Sequence, residues 1–341
     1  MAKTNYFYET LNASEKKLYD ALVNTAARRG PGIPAGGVSD ERISDIFSYS
    51  ICNNPQYFWV SPEIGITKSI LAKNIVMKYA IPKPKADQYQ RQIDEVTRAF
   101  IAENINDHQS DYDRVLVIHD FLKRTVSYDH DSAAFNTRAI ITGKTNAHNM
   151  VGALVDKTCV CEGFAKAMKY LCDQVGVECC VVSGTGSSSF ERGPHAWNIV
   201  NINGCWQHVD VTWDNQFMDD AAIPNYAYLN LDDDTIARDH TWNRKHYPKC
   251  TEVSYNYFKM NNALISSEVQ LCRFFEENLA AEEPEILFRV ERDSQLARDI
   301  MGILNQTIWK AAGNVRHCRM KDCRFNYIES QLVYILHVNY Q

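Results

Sequence analysis

Asn203-Gly204 lies between two β-like runs, Ala196 to Ile202 and Cys205 to Trp213. Asn-Gly is the pair a type I′ turn favours, because both central residues need positive φ. A symmetric turn at that point sets the register of a hairpin, with His195 opposite Thr212 and Trp197 opposite Asp210. Side chains alternate between faces along a strand. One face then carries His195, Trp197, Ile199 and Asn201 with Trp206, His208, Asp210 and Thr212. The other carries Ala196, Asn198, Val200 and Ile202 with Cys205, Gln207, Val209 and Val211. His195 and Asp210 become diagonal neighbours, within roughly 7–8 Å at the backbone. A carboxylate can reach an imidazole nitrogen across that gap. A slip of one residue would put the two on opposite faces.

Upstream, Phe164, Met168, Leu171, Cys172 and Val175 follow helical spacing and mark one buried face. Gly176 is placed to cap the helix C-terminus. Cys161 falls in the first turn, where unpaired N–H groups and the helix dipole favour an anion. A thiol there becomes a competent nucleophile, and nearby backbone N–H groups can hold a developing oxyanion. Cysteine, imidazole and carboxylate are the inventory of a thiol nucleophile, its base and the base's orienter.

Each residue has competitors. Cys172 is in register with the apolar stripe and reads as core. Cys159 is a rival nucleophile, but it precedes the helix. His208 shares the hairpin face and is a rival base, or a buried histidine bonded to Asp210. His119 and His240 read as structural, bonding backbone or carboxylates. Tyr128 and Trp197 are the aromatics assigned to the oxyanion or cleft wall, although tryptophans in such runs are more often core. Gly184 to Gly193 contains Gly-x-Gly without a following Lys-Ser/Thr, so it reads as a mobile active-site loop and not a phosphate loop. Cys159-x-Cys161 without a second matched pair is not a structural zinc spacing. The expectation is no metal and no cofactor.

The segments Val160-Cys161-Glu162-Gly163-Phe164-Ala165, His195-Ala196-Trp197-Asn198 and His208-Val209-Asp210-Val211-Thr212-Trp213-Asp214 together resemble the transglutaminase-like superfamily, a branch of the papain-like thiol enzymes. Cys161 and His195 stand 34 residues apart, and His195 and Asp210 stand 15 apart, in that family's order. The resemblance implies Cys161 as nucleophile, His195 as general base and acid, and Asp210 as orienter. It is supported by Ile118-His119-Asp120 with Val126-Ser127-Tyr128-Asp129, and by Tyr228-Leu229-Asn230-Leu231 with Asp239-His240-Thr241-Trp242. It covers about Asp111 to Trp242. Tyr8 to Leu22 and Asn54 to Trp59 are similar to the leader of clostridial-type bacterial members. The implied fold is α+β, with the helix bearing the nucleophile packed on an antiparallel sheet. The implied chemistry is acyl transfer from a peptide or glutamine-type amide through a thioester, with hydrolysis favoured. A protein-glutamine amine transferase and a non-catalytic binding or scaffold protein are the alternatives.

The 341 residues predict three regions. Residues 1–109 read as mainly helical with a short β-hairpin, Tyr57 to Val60 with Ile75 to Ile81. Asn12 and Glu15 signal a helix start, Gly30 to Pro34 breaks that helix, and Tyr89, Ile93, Val96 and Phe100 mark another. Residues 110–259 form the catalytic domain, opened by Ser110 and Asp113 as a capping box. Residues 260–341 read as a small α+β domain, with helices near 267–279 and 293–311 and strands near 286–290, 323–328 and 332–338. A net charge of −6 without a long Lys/Arg run excludes nucleic acid as a main partner. The expected partner is a protein or peptide substrate. No apolar run reaches the length of a membrane helix, about 20 residues. Eleven cysteines, without an obvious disulfide spacing, suggest reduced thiols in the cytoplasm. A secretion leader already removed would leave the same residue 1.

Overall fold

The computed structural model describes residues 6–69, 72–133, 140, 145–187, 192–216 and 225–341. It is a mixed α+β molecule whose described strands, in chain order, build four sheets. In the N-terminal region, Asn12 Oδ1 accepts the N–H groups of Ser14 and Glu15, and the Glu15 carboxylate accepts the Asn12 N–H. That reciprocal cap starts the helix Ala13–Arg28. The break after it is also a strand, β1 (Gly32–Pro34). It joins β2 (Gly65–Lys68) and β3 (Lys73–Val76) in the order β1-β3-β2.

The hairpin expected between Tyr57 to Val60 and Ile75 to Ile81 is reduced to a short antiparallel contact. Pro55 opens a single 3₁₀ turn, Pro55–Tyr57, in which its missing N–H costs nothing. Val60 forms an isolated antiparallel bridge to Tyr79, flanked by the Ser61 N–H donating to the Lys78 carbonyl at 2.9 Å. The Trp59 carbonyl accepts the Ala80 N–H at 2.9 Å, and its indole N–H donates to the Ala26 carbonyl at 3.1 Å.

The Ser110–Asp113 capping box starts the helix Asp111–Thr125, whose Val115, Ile118 and Leu122 are fully buried. Short parallel strands β4 (Ser127–Tyr128) and β5 (Thr158–Cys159) then lead into the helix Cys161–Val175, which ends at Gly176 with φ 87°. Phe164, Met168, Leu171 and Cys172 are fully buried. The three larger side chains contribute roughly 1.5–3 kcal/mol each. Gly163 is required here. A Cβ on it would sit 2.6 Å from the Ala147 carbonyl oxygen and 2.6 Å from Cys159 Cβ.

The central sheet contains β6 (Glu178–Ser187), β7 (Arg192–Ile202), β8 (Cys205–Val209), β9 (Leu229–Leu231) and β10 (His240–Trp242). Its order is β10-β6-β7-β8-β9, antiparallel throughout. Asn203 and Gly204 have φ of 53° and 88°. Asn198 pairs with Val209 and Ile202 with Cys205, which is the register the turn dictates. Val200, Ile202 and Val209 share a core with Phe164, Met168 and Leu171 of the Cys161 helix. Val182, Trp197 and Ile199 face the other way, into a core with Leu22, Ile43 and Phe47.

Two expectations near the hairpin are corrected. The second strand does not reach Trp213: it stops at Val209, and Val211–Gln216 is helical. Asp210 caps that turn, its Oδ1 accepting the Trp213 N–H at 3.1 Å. The glycine-rich stretch is largely strand. Gly184 and Gly186 belong to β6 and Gly193 to β7, while 188–191 lie outside the described residues.

Toward the C-terminus, β11 (Leu264–Ile265), β12 (Glu285–Val290), β13 (Met320–Ile328) and β14 (Val333–Tyr340) form a sheet in the order β11-β12-β14-β13. Helices Glu268–Ala280 and Gln295–Asn314 accompany it, capped by Ser267 and Ser294. Its core of Phe275, Phe288, Ile308 and Leu336 is continuous with Trp213, Tyr228 and Leu231. Arg289, buried in β12, donates to the Ala227 carbonyl. No helix among the described residues is long and apolar enough to cross a membrane.

Candidate active site

Cys161 is the first residue of its helix and is half-buried. No side chain caps that N-terminus, so its orphan N–H groups are left for the backbone and for whatever sits beside the thiol. Cys161 and Cys52 both pack against Ala165, Val181 and Ala196. Cys159 is fully buried opposite Tyr128, and burial pushes its thiol well above the usual range. That environment makes Cys159 an inert core thiol. All eleven cysteines are free.

His195 pairs with Gly184 on β6, and β8 has already ended beside it. Its Nε2 donates to Asp210 Oδ2 at 2.6 Å, and the Cys161 thiol is a second polar neighbour of the ring. Burial opposes a charge on the ring. The Asp210 charge and hydrogen bond, then the Cys161 thiol, outweigh it and push the His195 pKa up to about 10. Asp210 is fully buried. Burial alone would raise its carboxyl, but the His195 charge and the hydrogen bonds from His195 and His240 hold it well below the usual carboxylate range. Within this site, the sequence-predicted Cys161, His195 and Asp210 therefore meet.

The aromatics take different positions. The Trp197 ring stacks 5.9 Å from His195 at 19° and is almost wholly buried. Its only N–H donates to His208 Nδ1 at 2.9 Å, so it is a wall of the site and offers no oxyanion donor. Trp213 lies against the His195 ring at 5.5 Å. Tyr128 sits opposite Cys159, two residues before Cys161 in the adjoining strand.

The remaining histidines are in carboxylate networks. His208 is not bonded to Asp210. Its Nε2 faces Asp233 Oδ1 at 2.9 Å. His119 Nε2 lies 2.8 Å from Asp214 Oδ2 and Nδ1 3.3 Å from Asp120 Oδ1. Asp214 Oδ1 also accepts the Tyr228 N–H at 2.9 Å. This pair ties the helix that follows Asp210 to the helix Asp111–Thr125. His240 is the residue that sequence reasoning undervalued. It reaches the same Asp210 Oδ2 as His195, at 3.1 Å.

Two groups bring possible metal ligands together among the described residues: His195, Asp210 and His240, and His208, Asp233 and Cys250. The hydrogen bonds argue against the second. An indole N–H only donates, so His208 Nδ1 must accept and its proton lies on Nε2, facing Asp233. A metal on Nε2 would have to displace that proton and leave the ring anionic. In the first group both imidazoles already share one carboxylate oxygen.

A helix-borne thiol facing an imidazole that a buried carboxylate orients is the arrangement of thiol enzymes. Residues 99–211 match the model of the transglutaminase-like superfamily, and that stretch contains Cys161, His195 and Asp210. Over 135 residues the chain is 29% identical to kyphoscoliosis peptidase of Mus musculus and 28% identical to that of Homo sapiens. In each case the match covers 35% of this chain and 18% of the relative, so the chain spans under a fifth of those proteins. A solved structure of a TGase is 12% identical, with a TM-score of 0.33, over 55% of this chain and 49% of that one.

Proposed function

We propose that the protein is a cysteine hydrolase, a peptidase or amidase working through a thioester acyl-enzyme. The observation that carries this reading is the double engagement of His195, by Asp210 on one side and the Cys161 thiol on the other. The Cys161 thiol passes its proton to His195 as the sulfur engages the substrate. Cys161 Sγ attacks the amide carbonyl carbon, and backbone N–H groups at the helix start steady the oxyanion. His195 delivers its Nδ1 proton to the departing amine, leaving a thioester on Cys161. His195 then takes a proton from water, which attacks the thioester and frees the acid. Trp197 and Trp213 flank the His195 ring, and Tyr128, paired with Cys159, is the candidate aromatic near the nucleophile. The superfamily match and the word peptidase in the names of two partial relatives support a protein or peptide substrate.

The test is to incubate the protein with a peptide library and search for an acyl adduct on Cys161 by mass spectrometry. A peptide-derived adduct that disappears in water with release of acid supports hydrolysis. An adduct resolved only when a primary amine is added points to transfer, and no adduct on any peptide refutes the enzymatic reading.

A further inference from the structure

We infer that His240 is a positioning residue for His195, and that Gln331 of the C-terminal region completes the clamp that holds it. The inference rests on the acyl-transfer reading of Cys161, His195 and Asp210. His240 Nε2 is 3.1 Å from Asp210 Oδ2, the oxygen that His195 uses. On its other side, His240 Nδ1 is 2.6 Å from Asp239 Oδ1. Both ring nitrogens thus face carboxylates, and the ring cannot rotate without breaking one contact. Asp239 is fixed in turn. Its Oδ2 accepts the Tyr228 hydroxyl at 2.9 Å and the Gln331 amide N–H at 2.9 Å. Gln331 lies in the turn between β13 and β14 and is fully buried, as is His240. The Ser330 hydroxyl lies 3.4 Å from the Tyr228 hydroxyl and adds a contact from the same turn.

The result is a chain of hydrogen bonds from the C-terminal sheet to the thiol: Gln331, Asp239, His240, Asp210, His195, Cys161. Its consequence is geometric. An Asp210 carboxylate with only His195 on Oδ2 could rotate about its last bond, limited by Trp213 N–H on Oδ1. The second imidazole removes that freedom, so the oxygen that aligns His195 stays in place. Buried networks of this kind fix orientation because a half-satisfied carboxylate in a low-dielectric interior is costly. The C-terminal region, which carries no motif of its own, thereby becomes part of the support of the site.

The experiment compares the rate of Cys161 alkylation by iodoacetamide in the full chain and in three variants. His240→Gln keeps an N–H where Nε2 stood, toward Asp210. His240→Asn keeps one where Nδ1 stood, toward Asp239, and loses the contact with Asp210. Gln331→Leu keeps the bulk and loses the donor to Asp239. We expect His240→Gln to stay within about threefold of the parent, and His240→Asn to slow about tenfold, within the range that couplings through packed networks reach. Gln331→Leu should slow about threefold on the same scale. Near-UV circular dichroism confirms that each variant is folded. A role in packing alone would move the two His240 variants together, so equal rates in His240→Gln and His240→Asn overturn the assignment. If His240→Asn does not fold, Gln331→Leu decides, and a parental rate there overturns it. Alkylation of the parent no faster than that of glutathione would instead sink the enzymatic reading itself.

Discussion

Asp210 Oδ1 accepts the Trp213 N–H at 3.1 Å, so one carboxylate oxygen starts a helix while the other orients His195. The strand has to end there for both to happen. Asp210→Asn keeps an acceptor for Trp213 but confronts His195 with an ambiguous amide. Loss of the orienting carboxylate should lower kcat by about 10³–10⁴-fold, by analogy with serine proteases. Steady-state kinetics on a substrate identified by adduct trapping would check this, and a fall of less than tenfold would remove Asp210 from its role.

Cys161→Ala should abolish adduct formation. Cys159→Ala should leave alkylation and turnover within about twofold, since its thiol is fully buried and held protonated. Mass spectrometry of the alkylated peptide distinguishes the two sites. Labelling at Cys159 that persists in Cys161→Ala at an unchanged rate contradicts the assignment.

The pH dependence follows from His195. Its folded pKa of about 10 lies above the ordinary 6.5. The stability it contributes is therefore complete below about pH 6.5 and is lost as pH rises through about 10. The imidazolium is also the proton donor to the leaving amine, so turnover should fall on the alkaline side near pH 10. Cys161 contributes to raising that pKa, so Cys161→Ala should move the His195 titration to lower pH. NMR titration of the imidazole would read both effects, and an unchanged midpoint in the variant would mean that the thiol does not face the ring.

His119→Ala would leave Asp214 fully buried without the imidazole that bonds its Oδ2 at 2.8 Å. Removing one partner of a buried pair costs about 3–5 kcal/mol. The expected result is a large fall in the urea midpoint. Activity would be lost along with the helix Val211–Gln216, whose first turn Asp210 caps. A midpoint shift corresponding to under 1 kcal/mol would show that this pair does not anchor the helix.

Gly163→Ala tests the seating of the Cys161 helix. The added methyl would meet backbone at Ala147 and the Cys159 side chain at 2.6 Å each. Overpacking of this kind costs about 1–3 kcal/mol. A calorimetric Tm equal to that of the parent would mean that the helix start can shift without penalty.

Local chemistry made much of this legible. The Asn203-Gly204 turn, the Ser110 and Asn12 capping boxes and the apolar spacing of Phe164, Met168 and Leu171 each act over a few residues, and the structure follows them. The hairpin register followed because side-chain alternation and turn chirality leave one solution. That register also put His195 and Asp210 within reach of each other.

The rest depended on contacts between distant segments. Alternation continued on paper to Trp213, but the Asp210 cap and the Asp214–His119 bond turn that stretch into a helix. The Tyr57–Val60 run had strand-forming residues, yet its aromatics are spent on packing and Pro55 opens a turn. Nothing local joins His240 to Asp210, 30 residues away, or Gln331 to Asp239, 92 residues away. Sequence alone determined which side chains were available and, as far as the strands run, which face each would take. The tertiary structure decided which buried donor each carboxylate received, because that choice minimises unpaired charge over the whole interior and cannot be made one segment at a time.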